Sequence, residues 1–398
     1  MRVVHICNLP LPEGHPEYGV IQTHPGRWVL NHALAQKSRA IDPHLVVQVA
    51  GSRVNYSTEI EGIPVHYLSA PDRFRSSTLF FFDVRRISRY VRSLGARIVH
   101  AHGTEESFLM AAQATGLPNL VTLQGCYFLI NREIPPGLVS RARIVEFTEQ
   151  FALRRATHAI AKSEYVGREV HAQFPHLRIH DIPNTFDPSL LEISICGPRQ
   201  KKSLAFVGTI VERKGVHLIA EALARMLETL RRDIVLHVFG DRPGAASTYE
   251  ASVLAELHTL LGDRLVTHGT IPAIDVARAL SGIECLLAPS LEEMFGNQLI
   301  ESLLVGCRAI VTEGTAMAEN LRRFGGGVVV PQRDPQALAT AIVASITGSS
   351  RNEDHLEVRN RIQAYMGPDM VGKRHEEVYS MVLEDASLGS SVSRKRST

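Results

Sequence analysis

Short apolar runs rich in Val, Ile and Leu recur along this chain at intervals that leave room for one helix each, and the series runs twice. The first set is Val3–Cys7, Leu45–Val49, Ile98–Ala101, Leu120–Leu123, His158–Ala161 and Ile179–Pro183. An irregular stretch, Pro188–Gln200, follows and leads into the basic cluster Arg199–Lys202. The pattern then restarts with Leu204–Val207, Ile234–Phe239, Leu265–Thr267, Cys285–Ala288, Ala309–Thr312 and Gly327–Val330. Strand and helix in alternation demand parallel sheets covered on both faces, so the expected class is α/β with two doubly wound halves. A chain of 398 residues suits two such domains. Expected bounds are 1–190 and 200–367, a terminal helix over 369–385 and a polar, disordered tail at 387–398.

Composition narrows the classes. No apolar run reaches the roughly 20 residues needed to cross a bilayer, and the opening MRVVHICNLPLP has neither a basic n-region nor a cleavage pattern, so a cytoplasmic protein is expected. Five scattered cysteines without CxxC spacing predict neither disulfides nor zinc. A net charge of +2 is uninformative by itself, and no nucleic-acid partner is expected. The charge is uneven, however, with seven arginines between Asp72 and His100. On a helix from about Thr78 to Leu94, Phe80, Val84, Ile87, Val91 and Leu94 share one face, while Arg85, Arg89 and Arg92 share another. That basic side is either a solvated surface or a contact for anionic lipid headgroups at the inner face of a membrane.

The chemistry concentrates in PSLEEMFGNQLIE, residues 289–301. A buried strand ends at Pro289-Ser290. Gly296 frees the backbone, Asn297 can cap, and a helix with an apolar face of Leu299, Ile300, Leu303 and Leu304 begins, carrying Glu301 near its positive end. Glu293 and Glu301 thus stand eight positions apart around Phe295-Gly296. This resembles the E-x7-E signature of glycosyltransferase family 4, whose members have the GT-B fold. The resemblance implies two Rossmann-like domains facing across a cleft, with the terminal helix crossing back to the first. It also implies transfer of a sugar from a nucleotide diphosphate sugar to an acceptor hydroxyl, with retained configuration and no metal or other cofactor. UDP- or GDP-sugars are the expected donors. The expected role is synthesis of cell-surface polysaccharide, glycolipid or glycoconjugate, with a sugar or lipid-linked acceptor.

The second half opens with FVGTIVERKGVHL, in which a strand meets Gly208 and a loop carries Arg213-Lys214. Fixed cations here stabilise the charge that builds on a departing diphosphate. Many family members have Arg directly after the glycine. This chain has Thr209, so the resemblance passes that role to Arg213. It also implies that Glu293 lies against the donor sugar, that Glu301 accepts from the ribose hydroxyls, and that Phe295, Gly296, Asn297 and Gln298 line the donor site.

In the first half, IVHAHG matches the family's V-H-x-H. His100 and His102 point the same way on a strand and could form half a metal site. No further ligands cluster nearby and no D-x-D is present to hold a cation on a sugar nucleotide, so no metal is expected. By resemblance His102 contacts a sugar hydroxyl or a phosphate, and His100 is buried support. Gly19, in Gly19-Val20-Ile21-Gln22-Thr23-His24, matches a phosphate-binding loop of the family. Gln124 stands where the family has His and cannot titrate. Gly367 to Arg374 imitates a P-loop but lacks the Ser/Thr for Mg²⁺. A catalytically silent scaffold remains as an alternative, favoured by the departures at Gln124, Thr209 and the N-terminal glycines, and a sugar-nucleotide epimerase or a phosphorylase is a second.

Overall fold

The computed structural model describes residues 1–398 except 22–25, 105, 138–139, 196–198, 243–245, 349–353 and 397–398, with side chains as far as Leu388. The chain forms two compact units. Met1–Thr185 joins Met366–Thr398 in one, and Phe186–Tyr365 makes the other, so the breaks fall a few residues before the expected ones at 190 and 367.

The first unit is built on β1 (Arg2–Cys7), β2 (Asp42–Ala50), β3 (Tyr56–Ile60), β4 (Ile63–Ala70), β5 (Ile98–His102), β6 (Asn119–Thr122), β7 (His158–Ala161) and β8 (Arg178–Asp181). Their order is β3-β4-β2-β1-β5-β6-β7-β8. All neighbours are parallel except the β3–β4 hairpin. The chain leaves β1 to one side for β2 and returns to its other side for β5. The carboxyl ends of β1 and β5 therefore flank the switch point at which doubly wound sheets bind ligands. The helix Pro368–Arg396 belongs to this unit, with Val371, Val378, Tyr379 and Val382 packed on Val3, Ile98, Leu120 and Ile160 of the sheet. Its backbone stays helical to Arg396, through the segment whose composition predicts a disordered tail. Residues 373–396 hold one glycine and no proline, so nothing in the backbone stops the helix.

The basic helix is shorter than expected, Phe81–Ser93. Leu79 and Phe80 before it have left-handed backbones, φ 49° and 60°. Phe80, Ile87 and Val91 are buried as the periodicity requires. Arg92 is exposed like Arg85 and Arg89, but its guanidinium is engaged by backbone carbonyls. Its Nε and Nη2 donate to Thr115 O and Ala114 O at 2.8 and 2.7 Å, satisfying the last carbonyls of the helix Phe108–Ala114.

The second unit carries β9 (Gln200–Val207), β10 (Val235–Phe239), β11 (Leu265–Thr267), β12 (Ile283–Ala288), β13 (Arg308–Thr312) and β14 (Gly327–Val330). The order is β11-β10-β9-β12-β13-β14, parallel throughout. Here the switch lies between β9 and β12. Gly208 follows the first of these strands and Pro289 the second, so the two motifs singled out in the sequence emerge side by side. No helix among the described residues is long and apolar enough to cross a membrane.

Candidate active site

In the second unit the loop after β9 makes one turn of 3-10 helix, Glu212–Lys214, and passes through Gly215 into the helix Val216–Arg225. Gly215 has φ 68°, and a Cβ there would lie 2.0 Å from Pro289 O. This close approach seats Arg213 and Lys214 on the loop after β12. Leu291 N donates to Arg213 O, and Arg213 Nη1 donates to Glu292 O, both at 2.8 Å. Lys214 Nζ forms an ion pair with Glu293 Oε2, and the two side chains are only 13% and 14% exposed. Burial alone would raise the Glu293 carboxyl, but the charge of Lys214, then that of Arg213, outweighs it and holds the group at about 2. The Gln298 amide adds to this effect. Glu293 is therefore a carboxylate at any physiological pH.

The Glu293 loop is braced from behind. Thr312 Oγ1 donates to Ser290 O at 2.5 Å, Gln332 Nε2 to Leu291 O at 2.8 Å, and Ala316 N to Glu293 O at 2.9 Å. Phe295 is buried. The cap of the next helix, Asn297–Leu304, is Gly296 at φ 80°, so Asn297 is its first residue and not the cap expected from the sequence. Glu301 rides on the second turn and keeps part of its side chain at the surface. Its carboxyl is nevertheless pushed up to about 7, first by its low-polarity surroundings and then by the charge of Asp187. Two acids eight residues apart are thus driven in opposite directions. Gly208 stands at the root of the same loop, its N–H donating to Phe239 O at 2.9 Å.

In the first unit His102 closes β5 and is buried. His100 is buried beside it, with Nδ1 2.8 Å from Tyr379 Oη and Nε2 2.6 Å from Thr122 Oγ1. The register of β1 on β5 adds His5, which the sequence reading passed over. His5, His100 and His102 could bring one nitrogen each within 4.8 Å of one another. Their ring nitrogens are already hydrogen-bonded, apart from His102 Nδ1. Gln124 accepts a bond from Lys162 Nζ at 2.5 Å, which turns its amide nitrogen away from the lysine. Gly19 lies in an open turn at φ 75°, with nothing within 4 Å of a Cβ built on it. The rest of its motif, Gln22 to His24, lies outside the described residues.

Both sheets thus present charged and polar side chains at a switch point, the arrangement of enzymes that bind nucleotides. Solved structures share the architecture. Sucrose-phosphate synthase from Thermosynechococcus elongatus aligns with a TM-score of 0.77 at 17% identity, over 96% of this chain and 99% of that one. Anabaena HepE, in complex with UDP and glucose, aligns at 0.66 and 15% identity, over 95% and 99%. The fold is GT-B. Residues 25–190 match the model of Glycosyltransferase Family 4, and residues 201–347 that of Glycosyl transferases group 1. The chain belongs to glycosyltransferase family 4. Among relatives, 2-deoxystreptamine glucosyltransferase of Streptomyces kanamyceticus is 26% identical over 212 residues, 50% of this chain and 53% of that protein. The match therefore spans about half of that relative's length. The 2-deoxystreptamine N-acetyl-D-glucosaminyltransferase of Streptomyces fradiae is 24% identical over 310 residues, 73% and 70% of the two chains.

Proposed function

We propose that the protein transfers a sugar from a nucleotide diphosphate sugar to an acceptor hydroxyl, with retention and without a metal ion. The observation that carries this reading is the pair Arg213-Lys214 held against Glu293 at the switch point of the second sheet. The bond from the anomeric carbon to the phosphate oxygen breaks as the bond to the acceptor oxygen forms on the same face. The acceptor proton passes to the departing phosphate, whose growing charge Arg213 and Lys214 stabilise. Glu293, fixed as a carboxylate, accepts from sugar hydroxyls, and a cation pair in this place takes the part a divalent ion would otherwise play. HepE, bound to UDP, and the two 2-deoxystreptamine transferases support a UDP-sugar donor and a polyhydroxylated acceptor. Screening nucleotide sugars by thermal shift tests this directly, since ligand linkage raises the melting temperature only for those that bind. Consumption of the binder and the anomeric configuration of the product follow by NMR. No stabilising nucleotide sugar, or an inverted product, defeats the reading.

Glu301 gives this proposal a pH signature. Its raised pKa means that the neutral acid is favoured by folding, so its contribution to stability is fully present below about 4.5 and is lost as pH rises through about 7. Ribose hydroxyls favour the ionised form as acceptor. UDP affinity therefore rises across about pH 6 to 8, measured by calorimetry, and Glu301→Gln abolishes the slope while weakening UDP about tenfold. A slope that persists in Glu301→Gln removes Glu301 from ribose recognition.

The surface around the basic helix supports a peripheral membrane contact. Phe74, Phe81 and Phe82 are 78%, 59% and 65% exposed, and exposed Arg85 and Arg89 flank them. Aromatic rings beside fixed positive charge suit an anionic lipid surface, at about 1 kcal/mol per arginine. Vesicles containing phosphatidylglycerol should sediment the protein and phosphatidylcholine vesicles should not. Arg85→Glu with Arg89→Glu should release it, and equal binding to both vesicle types would end this part of the reading.

A further inference from the structure

His5 sits in β1 between Gln36 and His102, and all three side chains are buried. Its Nε2 lies 2.9 Å from Gln36 Oε1, and its Nδ1 lies 2.8 Å from His102 Nε2. A carbonyl oxygen only accepts, so His5 Nε2 carries the hydrogen. Burial, then the charge of His375, brings the His5 pKa down to about 3, so the ring is neutral and its Nδ1 holds a lone pair. His102 Nε2 must then donate to it. Burial first, then its neighbours His100 and His5, also keep His102 neutral. Its single N–H hydrogen is spent on His5, which leaves Nδ1 as a bare lone pair. That nitrogen is buried and has no hydrogen-bond partner among the described residues. The Gln36 amide nitrogen is buried and has no hydrogen-bond partner among the described residues, so its carbonyl bond to His5 is the contact that orients it.

We infer that Gln36 and His5 are positioning residues that hold His102 in the Nε2–H tautomer, so that His102 Nδ1 accepts a hydrogen bond from a hydroxyl of the transferred sugar. The inference rests on the nucleotide-sugar reading above and narrows it. The family resemblance left a sugar hydroxyl and a phosphate open as partners of His102. An ionised phosphate has no hydrogen to give a lone pair. Binding one would require a second proton on a buried imidazole surrounded by other histidines. A hydroxyl donates to the lone pair without changing the charge of the cluster. Gln36 and His5 act through His102 and need touch no substrate atom.

The test is a long-range proton–nitrogen NMR spectrum of the full chain labelled with 15N-histidine, with His102 identified by the signal lost in His102→Asn. The expected result is hydrogen on Nε2 of His102 in the wild type and in Gln36→Glu, whose carboxylate still accepts from His5. Hydrogen on Nδ1 in the wild type overturns the inference. Gln36→Leu should mix the tautomers and lower kcat/KM for hydrolysis of the selected nucleotide sugar about tenfold. The Kd for UDP should stay unchanged, and Gln36→Glu should restore the rate. A tautomer shift with no change in kcat/KM overturns the substrate role. If Gln36→Leu does not fold, the wild-type and Gln36→Glu spectra decide alone. If no nucleotide sugar binds, the nucleotide-sugar reading fails and the substrate role of His102 falls with it, while the spectrum still settles the tautomer.

Discussion

Replacing Lys214 by alanine lowers turnover by about 10² to 10³, or roughly 3–4 kcal/mol, the usual loss when one preorganised donor to a developing anion is removed. In the proposed reaction the ammonium faces the departing diphosphate, and it sits on a loop seated by backbone contact against the end of β12. Its charge stabilises the departing group more than the bound donor, so the loss falls on kcat and less on KM. The same substitution strips Glu293 of its ion-pair partner. Because both side chains keep some exposure, the folding cost is about 2 kcal/mol, below the roughly 3–5 of a fully buried pair. Glu293 then relies on Arg213, and its carboxyl moves up from about 2. The two effects separate in Lys214→Ala combined with Glu293→Gln. Removing the lone carboxylate recovers most of the melting temperature, whereas turnover stays low because no cation has been returned. Wild-type turnover in the single variant would take Lys214 out of the mechanism.

Much of this architecture is legible in the sequence because parallel strands are covered on both faces and so read as unbroken apolar runs. β5 and β12 are buried along almost their whole length and stand out for that reason. The β3–β4 hairpin does not. In β3 exposed Ser57 and Glu59 interrupt the pattern, and β4 carries Pro64 as its second residue, which argues against a strand when read from sequence alone. Glu293, Glu301 and Arg213-Lys214 were visible as motifs. The ion pair between Lys214 and Glu293 was not, because it joins residues 79 apart through the close approach of Gly215 to Pro289. His5, Gln36 and Lys162 escaped notice for a different reason. His5 is one polar residue within an apolar strand, while Gln36 and Lys162 stand beside further polar residues, Lys37 and Ser163, so all three resemble surface until a partner is seen. A signal was available for Gln36, which continues the spacing of Val29, Leu30 and Ala33 on the buried face of the helix Trp28–Lys37. A polar side chain on that stripe must find a hydrogen-bond partner inside.

Gly215→Ala should be as damaging to turnover as Lys214→Ala, and more damaging to folding. An L-residue at φ 68° costs about 1–2 kcal/mol in backbone strain. The added Cβ would also stand 2.0 Å from Pro289 O and 2.9 Å from Pro289 C, and neither atom belongs to a side chain that could swing away. Relief requires the Glu212–Lys214 turn to lift off the end of β12, at about 1–3 kcal/mol more. Lifting breaks the bonds from Leu291 N to Arg213 O and from Arg213 Nη1 to Glu292 O, and it carries Lys214 away from Glu293. Both cations of the clamp leave together, so turnover falls by at least 10² and the melting temperature drops by several degrees. Strain and misplacement are separable by a second substitution. In Gly215→Ala, removing Lys214 as well should cost little further turnover, since the ammonium is already out of place, and the two changes should be strongly non-additive. Additive losses would mean that Lys214 still reaches the leaving group in Gly215→Ala. The close approach of the two loops would then not be what positions the clamp.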